Sequence, residues 1–227
     1  MWFLNHEVSD VVEDVGFRLK GGISRTWAKK TWKLSFNAFE KGRKWKGLKK
    51  LSLKGMSFDP SFLRESTSAD VLYSMNLPTS RYSFAQLNIN GMDFGLVIMI
   101  EHIDDRFLKS RFGSADGKLY KCDGTLEYMG PDEQTYRDEG DYIPKSDAAE
   151  EGDMSELVQL ITVLNKAPDE TFMEEMEQIL DVEMFLRTWA MEVVTGQTDG
   201  TLNANNYYRT CEKASSSCFF FHFALTK

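Results

Sequence analysis

The sequence predicts an α+β protein, with a β-rich first part and a helical second part. Three observations predict it. Apolar and polar residues alternate with a period of two in several runs before residue 101, as in Trp32-Lys33-Leu34-Ser35-Phe36. Asn90-Gly91, the strongest two-residue hairpin signal, separates two such runs. Beyond residue 153 the spacing changes to the 3.6-residue period of amphipathic helices. The expected organisation is a β-rich lobe over 1–122 with one helix at about 60–75. An acidic excursion over 123–153 follows, then a helical lobe over 154–227.

At 227 residues, with 42% hydrophobic and 27% charged side chains, the chain has the composition of an ordered globular protein. Its net charge of −8 is unevenly spread. Residues 1–60 hold 13 Lys+Arg against 6 Asp+Glu, a balance of +7, whereas the remainder holds 14 against 29, a balance of −15. A basic first part suits a site that gathers a polyanion, and two solvated faces explain the same counts. Overall acidity and the absence of a recognised motif argue against a nucleic-acid partner. No apolar run approaches the roughly 18 residues of a membrane span, and the N-terminus as written has no secretory signal. Three cysteines are too few for a disulfide framework or a zinc site.

Val11 to Leu19 reads as a strand running into Lys20-Gly21-Gly22-Ile23-Ser24-Arg25. Such a turn exposes backbone N–H groups and a hydroxyl to an anion, or serves simply as a hairpin loop. Thr31 to Phe36 is the next strand, and it places Lys30 and Lys33 near the glycine turn. Leu48 to Met56 alternates again. Asp59 as N-cap with Pro60 at the first helical position predicts a helix to about Met75. On it Glu65 shares a face with Ala69 and Leu72, so the carboxylate needs a cationic partner. Lys33 or Lys30 is the expected partner, with Arg64 the alternative.

Tyr82 to Ile89 and Phe94 to Ile100 form a hairpin ended by Glu101. A short helix at about Asp104–Phe112 and a strand at Gly117–Lys121 follow. The segment 123–153, acidic and poor in aliphatics, reads as a surface excursion. Three helices come next, at about 154–165, 170–179 and from an Asp181 N-cap, the last burying Phe185, Leu186, Trp189, Ala190 and Val193. Gly196 falls at its C′ position. The loop that hangs from it, Thr195 to Tyr208, contains Asp199, Asn203, Asn205 and Asn206. A carboxylate followed by an amide is what a phosphoryl-transfer loop uses to orient a hydroxyl and hold Mg²⁺, and these residues are also ordinary turn formers.

Glycine turn, lysine strand, helix with an inward Glu, hairpin, helices and an Asp…Asn loop follow one another as the parts of a protein-kinase-like two-lobed fold do. From about Val15 to Tyr208 the sequence resembles the CotH kinases, a family named for a bacterial spore-coat protein. The resemblance rests on Leu19 to Arg25, Lys29 to Phe36, Asp59 to Glu65, Ile89-Asn90-Gly91, Gly95-Leu96 through Glu101, Gly117 to Lys121 and the loop Asp199 to Tyr208. It implies an atypical kinase that phosphorylates Ser or Thr of secreted, surface or coat proteins with ATP and Mg²⁺ or Mn²⁺. Gly21, Gly22 and Ser24 would then cover the phosphates, and Lys33 or Lys30 would contact them. Glu65 would hold that lysine, with Arg64 and Glu101 among the nucleotide-binding groups. Asp199 would act as base, and Asn205 or Asn206 would reach the metal.

One departure stands out. Family members carry a further acidic motif of the Trp-Asp-x-Asp kind after the strand that follows the loop. Here that place reads Phe219-Phe220-Phe221-His222-Phe223 and on to Lys227, without an acid. The expectation is a chain incomplete at both ends. The alternative function is a catalytically inactive binding module, an adhesin or coat-assembly scaffold.

Overall fold

The computed structural model describes residues 1–197, 200–204, 207–211 and 218–222. The chain forms two compact units, one built from Met1–Ser66 and Ser80–His102, the other from Thr67–Thr79 and the residues from Ile103 onward.

In the first unit, β1 (Trp2–Leu4) and β2 (Ser9–Val11) make a small antiparallel ribbon. β3 (Gly16–Leu19), β4 (Trp32–Ser35) and β5 (Lys50–Lys54) begin the main sheet. α1 (Arg64–Ser74) follows, then the hairpin β6 (Tyr82–Ile89) and β7 (Met92–Glu101). The sheet is antiparallel in the order β3-β4-β5-β7-β6. Asn90 and Gly91 both have positive φ, 52° and 81°, as the type I′ turn requires. Period-two alternation splits the sheet into unlike faces. Trp32, Leu34, Leu51, Leu53 and Val97 pack with Phe36 and Val12 into one buried core. Phe3 and Trp45 close it with rings stacked 4.0 Å apart, and the Trp45 indole N–H donates to Asp10.

The predicted strand over Val11–Leu19 is in fact two, because Asp14 turns the chain with φ 49°. The predicted helix start is also displaced. Asp59 accepts from the Ser61 and Arg64 backbone N–H groups, but Phe62 at φ 59° breaks the path, so Pro60 precedes the helix by four residues. Asp59 therefore caps a turn and helix together.

The second unit contains α2 (Asp105–Phe112), capped by Asp104 and ended by Gly113, then β8 (Lys118–Cys122). α3 (Glu133–Asp138), β9 (Tyr142–Pro144) and α4 (Asp147–Glu151) come from the acidic segment expected to be a surface excursion. It is no excursion: Tyr136, Tyr142 and Ala149 are buried in the unit's main core. Sparse aliphatics hid this because the burial is carried by tyrosine rings. α5 (Ser155–Lys166), α6 (Phe172–Ile179) and α7 (Val182–Val194) follow, the last capped by Asp181. β10 (Tyr207–Cys211) and β11 (Cys218–His222) complete a four-stranded antiparallel sheet, β11-β10-β8-β9. This unit is more than the helical lobe that was expected. α7 is also rotated from expectation. Thr188, Met191 and Glu192 are its buried residues, Phe185 is half-buried, and Leu186, Trp189, Ala190 and Val193 are exposed.

Candidate functional site

The site is built on the face of the five-stranded sheet opposite the first unit's core, where β3, β4 and β5 present polar side chains and β7 presents Ile98 and Ile100. Register puts Arg18 opposite Lys33 and Lys33 opposite Ser52, so these three side chains share a face, with Lys54 two residues on. The Lys20 ammonium donates to Ser52 Oγ at 2.8 Å. Four cations thus stand on one face, across three adjacent strands. At the same sheet end Lys20 N–H bonds Thr31 O, and the loop between them holds the glycine turn. Gly21 has φ +103°, and a Cβ there would meet Ser24 Oγ at 1.8 Å, so neither backbone angle nor space admits a side chain. Ser24 Oγ in turn donates to Lys20 O.

The carboxylate that closes this face comes from the first turn of α1. Glu65 is 3% exposed and forms a buried ion pair through Oε1 with the ammonium of Lys54. Oε2 is buried with no hydrogen-bond partner among the described residues. The expectation that Lys33, Lys30 or Arg64 pairs with Glu65 is therefore corrected. Lys30 donates to Arg25 O within its own loop, and the Arg64 side chain is exposed while its N–H bonds Asp59. Lys33 is on the right face but one strand too early. The partner is the last residue of β5, a strand whose Lys50-Leu51-Ser52-Leu53-Lys54 alternation carried the signal.

Glu101 is likewise engaged elsewhere. It accepts from Arg81 Nη2 on Oε1 at 2.6 Å, and from Arg81 Nε and the Arg81 backbone N–H on Oε2, each at 3.1 Å. This fork-like pair clamps the β6 entry to the β7 end, and donating to the Glu101 carboxylate holds the Arg81 guanidinium above its usual pKa. The geometry gives Glu101 a structural role as a clamp between the two strands.

In the second unit the loop after α7 begins as expected. Gly196 follows the helix with φ 65°. Asp199, Asn205 and Asn206 lie outside the described residues. What holds the loop is a residue that sequence reasoning missed, the buried Glu192. Its Oε1 accepts from Thr201 N–H at 3.1 Å and Thr201 Oγ1 at 3.0 Å, and its backbone O accepts from Gln197 N–H. Gly200 sits against it, since a Cβ there would lie 2.8 Å from Glu192 Oε1. Downstream, Arg209 is fully buried in β10 and donates to Glu156 O, and burial lowers its pKa to about 10. Burial pushes the neighbouring Cys122 thiol up to about 12, as for a cysteine packed in a core. Among the described residues, no three His, Cys, Asp or Glu side chains converge as metal ligands, and no helix is long and apolar enough to cross a membrane.

The family described as CotH kinase protein matches residues 17–222, a span that includes the glycine turn, Lys54, Glu65 and the loop after α7. The chain belongs to the CotH family. Inner spore coat protein H of Bacillus subtilis is 25% identical over 202 residues, which cover 88% of this chain and 55% of that protein. Invasin CotH7 of Rhizopus delemar is 25% identical over 215 residues, covering 87% of this chain and 33% of the invasin. This CotH chain thus spans about half the length of the one relative and a third of the other.

Proposed function

We propose that this CotH family member is an ATP-dependent protein kinase of the atypical, two-lobed type. It would transfer the γ-phosphoryl group of ATP to a Ser or Thr hydroxyl of a coat, surface or secreted protein. The observation that carries the reading is the buried Lys54–Glu65 pair. Protein kinases place a glycine-rich turn between their first two strands, a lysine on the third and its glutamate partner on the following helix. β3, β4, β5 and α1 supply these parts in that order. This face also suits a polyphosphate on its own terms, because Arg18, Lys20 and Lys33 share it with Lys54.

In this reading Lys54 binds the phosphates and Glu65 keeps its ammonium from collapsing elsewhere. Backbone N–H groups at Gly21 and Gly22, with the Ser24 hydroxyl, cover them. Lys33 is a second phosphate contact. Asp199 orients the attacking hydroxyl and accepts its proton as the new O–P bond forms. The bond from the γ-phosphorus to the bridging oxygen breaks, and ADP leaves with that oxygen. Asn205 or Asn206 would help hold Mg²⁺ or Mn²⁺, which when bound neutralises charge on the phosphates. The relatives' names, a spore coat protein and an invasin, support coat or surface association.

Incubation with γ-labelled ATP tests the reading: label should enter the protein itself or a Ser-rich acceptor, and Asp199→Ala should abolish it. Undiminished incorporation in that variant would sink the role given to Asp199. A second reading is a non-catalytic binding module, favoured by the acid-free run Phe219-Phe220-Phe221-His222-Phe223. It predicts no label and no stabilisation by Mg²⁺-ATP.

A further inference from the structure

The segment between Lys54 and α1 does more than connect them. At Gly55, the next residue after the lysine, a Cβ would lie 2.5 Å from Lys30 O, 2.9 Å from Lys29 Cβ and 3.1 Å from Lys29 C. Gly55 is not among the residues with positive φ, so glycine is needed there for room. Two residues on, Ser57 Oγ donates to Lys29 O at 2.7 Å. The Phe58 ring meets Trp27 edge-on, with centroids 4.6 Å apart, and the Lys29 ammonium sits 4.1 Å over Phe62. Lys29 and Trp27 belong to the loop that begins with the glycine turn, Trp27 N–H bonding Ser24 O. The connector itself is tightly wound. Asp59 N–H bonds Met56 O, Phe62 N–H bonds Asp59 O, and Met56 and Phe62 both have positive φ. A loop of twelve residues, 20–31 between β3 and β4, has no intrinsic reason to hold one position, and these contacts supply one.

We propose that residues 55–62 form a clasp that sets the glycine turn against the Lys54–Glu65 pair, with Gly55, Trp27 and Phe58 as positioning residues for nucleotide phosphate. The inference rests on the nucleotide reading given above and adds the part that keeps the site assembled before ligand arrives. The clasp couples both halves of the phosphate site, because the connector that grips the loop is continuous with the strand end at Lys54 and the helix start at Glu65. Releasing it leaves lysine, glutamate and glycines in place as residues but lowers the fraction of molecules in which they converge. Cutting that fraction to about a tenth weakens binding about tenfold.

The test uses the full chain with Gly55→Ala, Trp27→Ala and Trp27→Phe. Amide hydrogen exchange is read over residues 21–30 and over β5, and Mg²⁺-ATP binding is followed by calorimetry. In both Ala variants, exchange over 21–30 should rise while β5 stays protected, and Kd for Mg²⁺-ATP should rise about tenfold. Trp27→Phe, which keeps an aromatic edge for Phe58, should restore both readouts. Unchanged exchange over 21–30 in the Ala variants overturns the clasp, whatever the nucleotide does. Faster exchange with wild-type affinity overturns it as well. A wild-type chain that takes no Mg²⁺-ATP sinks the nucleotide reading before any variant is made, whereas tight wild-type binding with indifferent variants sinks the clasp alone. Should Gly55→Ala fail to fold, the Trp27 pair carries the same comparison.

Discussion

A carboxylate such as that of Glu65, 3% exposed on the first turn of a helix, needs a fixed cation beside it. Lys54 is that cation. A buried ion pair is weak evidence of stability, because desolvation offsets most of its attraction. In the function proposed above, the pair serves to hold the ammonium in place for the nucleotide. Asp59 shows the opposite balance. Burial acts to raise its pKa, but bonds from the Ser61 hydroxyl and from the Arg64 and Ser61 N–H groups outweigh it, and the net shift is downward. A folded-state pKa below the unfolded one means that the stabilisation is fully present above the unfolded value and is lost as pH falls through the lowered folded value. Urea unfolding at stepped pH should show an acid-side loss of stability below roughly pH 4. That loss should be smaller in Asp59→Asn; an identical acid limb in the variant would show that Asp59 contributes nothing to it.

At the scale of elements, turns and alternating strands were legible because their signals are local. Asn90-Gly91 fixes a type I′ hairpin by φ alone, and Trp32, Leu34 and Phe36 reveal their face by spacing. What was not legible depends on contacts between elements. Lys33 and Lys54 both alternate with apolar residues on strands, and only the register and the path of α1 select Lys54. The acidic segment hid its burial in Tyr136 and Tyr142. α7 carries more apolar residues than one face can bury, so periodicity could not choose the inward stripe. Nothing in the helical spacing singles out Glu192, yet it anchors the Gly200-Thr201 end of the loop. Gly200 has φ −152°, open to any residue, so its constraint is room beside that fixed carboxylate. Gly200→Ala should therefore cost about 1–3 kcal/mol by overpacking, measured by denaturant midpoint at constant m. It should also reduce phosphate incorporation. Wild-type stability in the variant would mean that Glu192 gives way freely.

Across the whole molecule the charge is divided. The first 60 residues carry +7 and the remainder −15, and the cations include the row on the site face of the first unit's sheet. A site that gathers a polyanion through several partly exposed lysines loses affinity as salt screens them. Calorimetry between about 0.05 and 0.5 M salt should show Mg²⁺-ATP binding weaken while adenosine binding, if detectable, stays level. Equal behaviour of the two ligands would place the affinity outside the cationic face.

The Lys54–Glu65 pair bears most of the functional reading, and removing both partners at once tests it most directly. Lys54→Met alone strands a buried carboxylate at a cost of about 3–5 kcal/mol, whereas apolar replacement of both residues is often neutral. The double variant Lys54→Met/Glu65→Leu should therefore fold with near wild-type stability. In thermal unfolding with Mg²⁺-ATP at a hundred times Kd, the wild-type chain should gain about 2.7 kcal/mol and the double variant nothing. An equal gain in both proteins would contradict the assignment of this pair to the nucleotide.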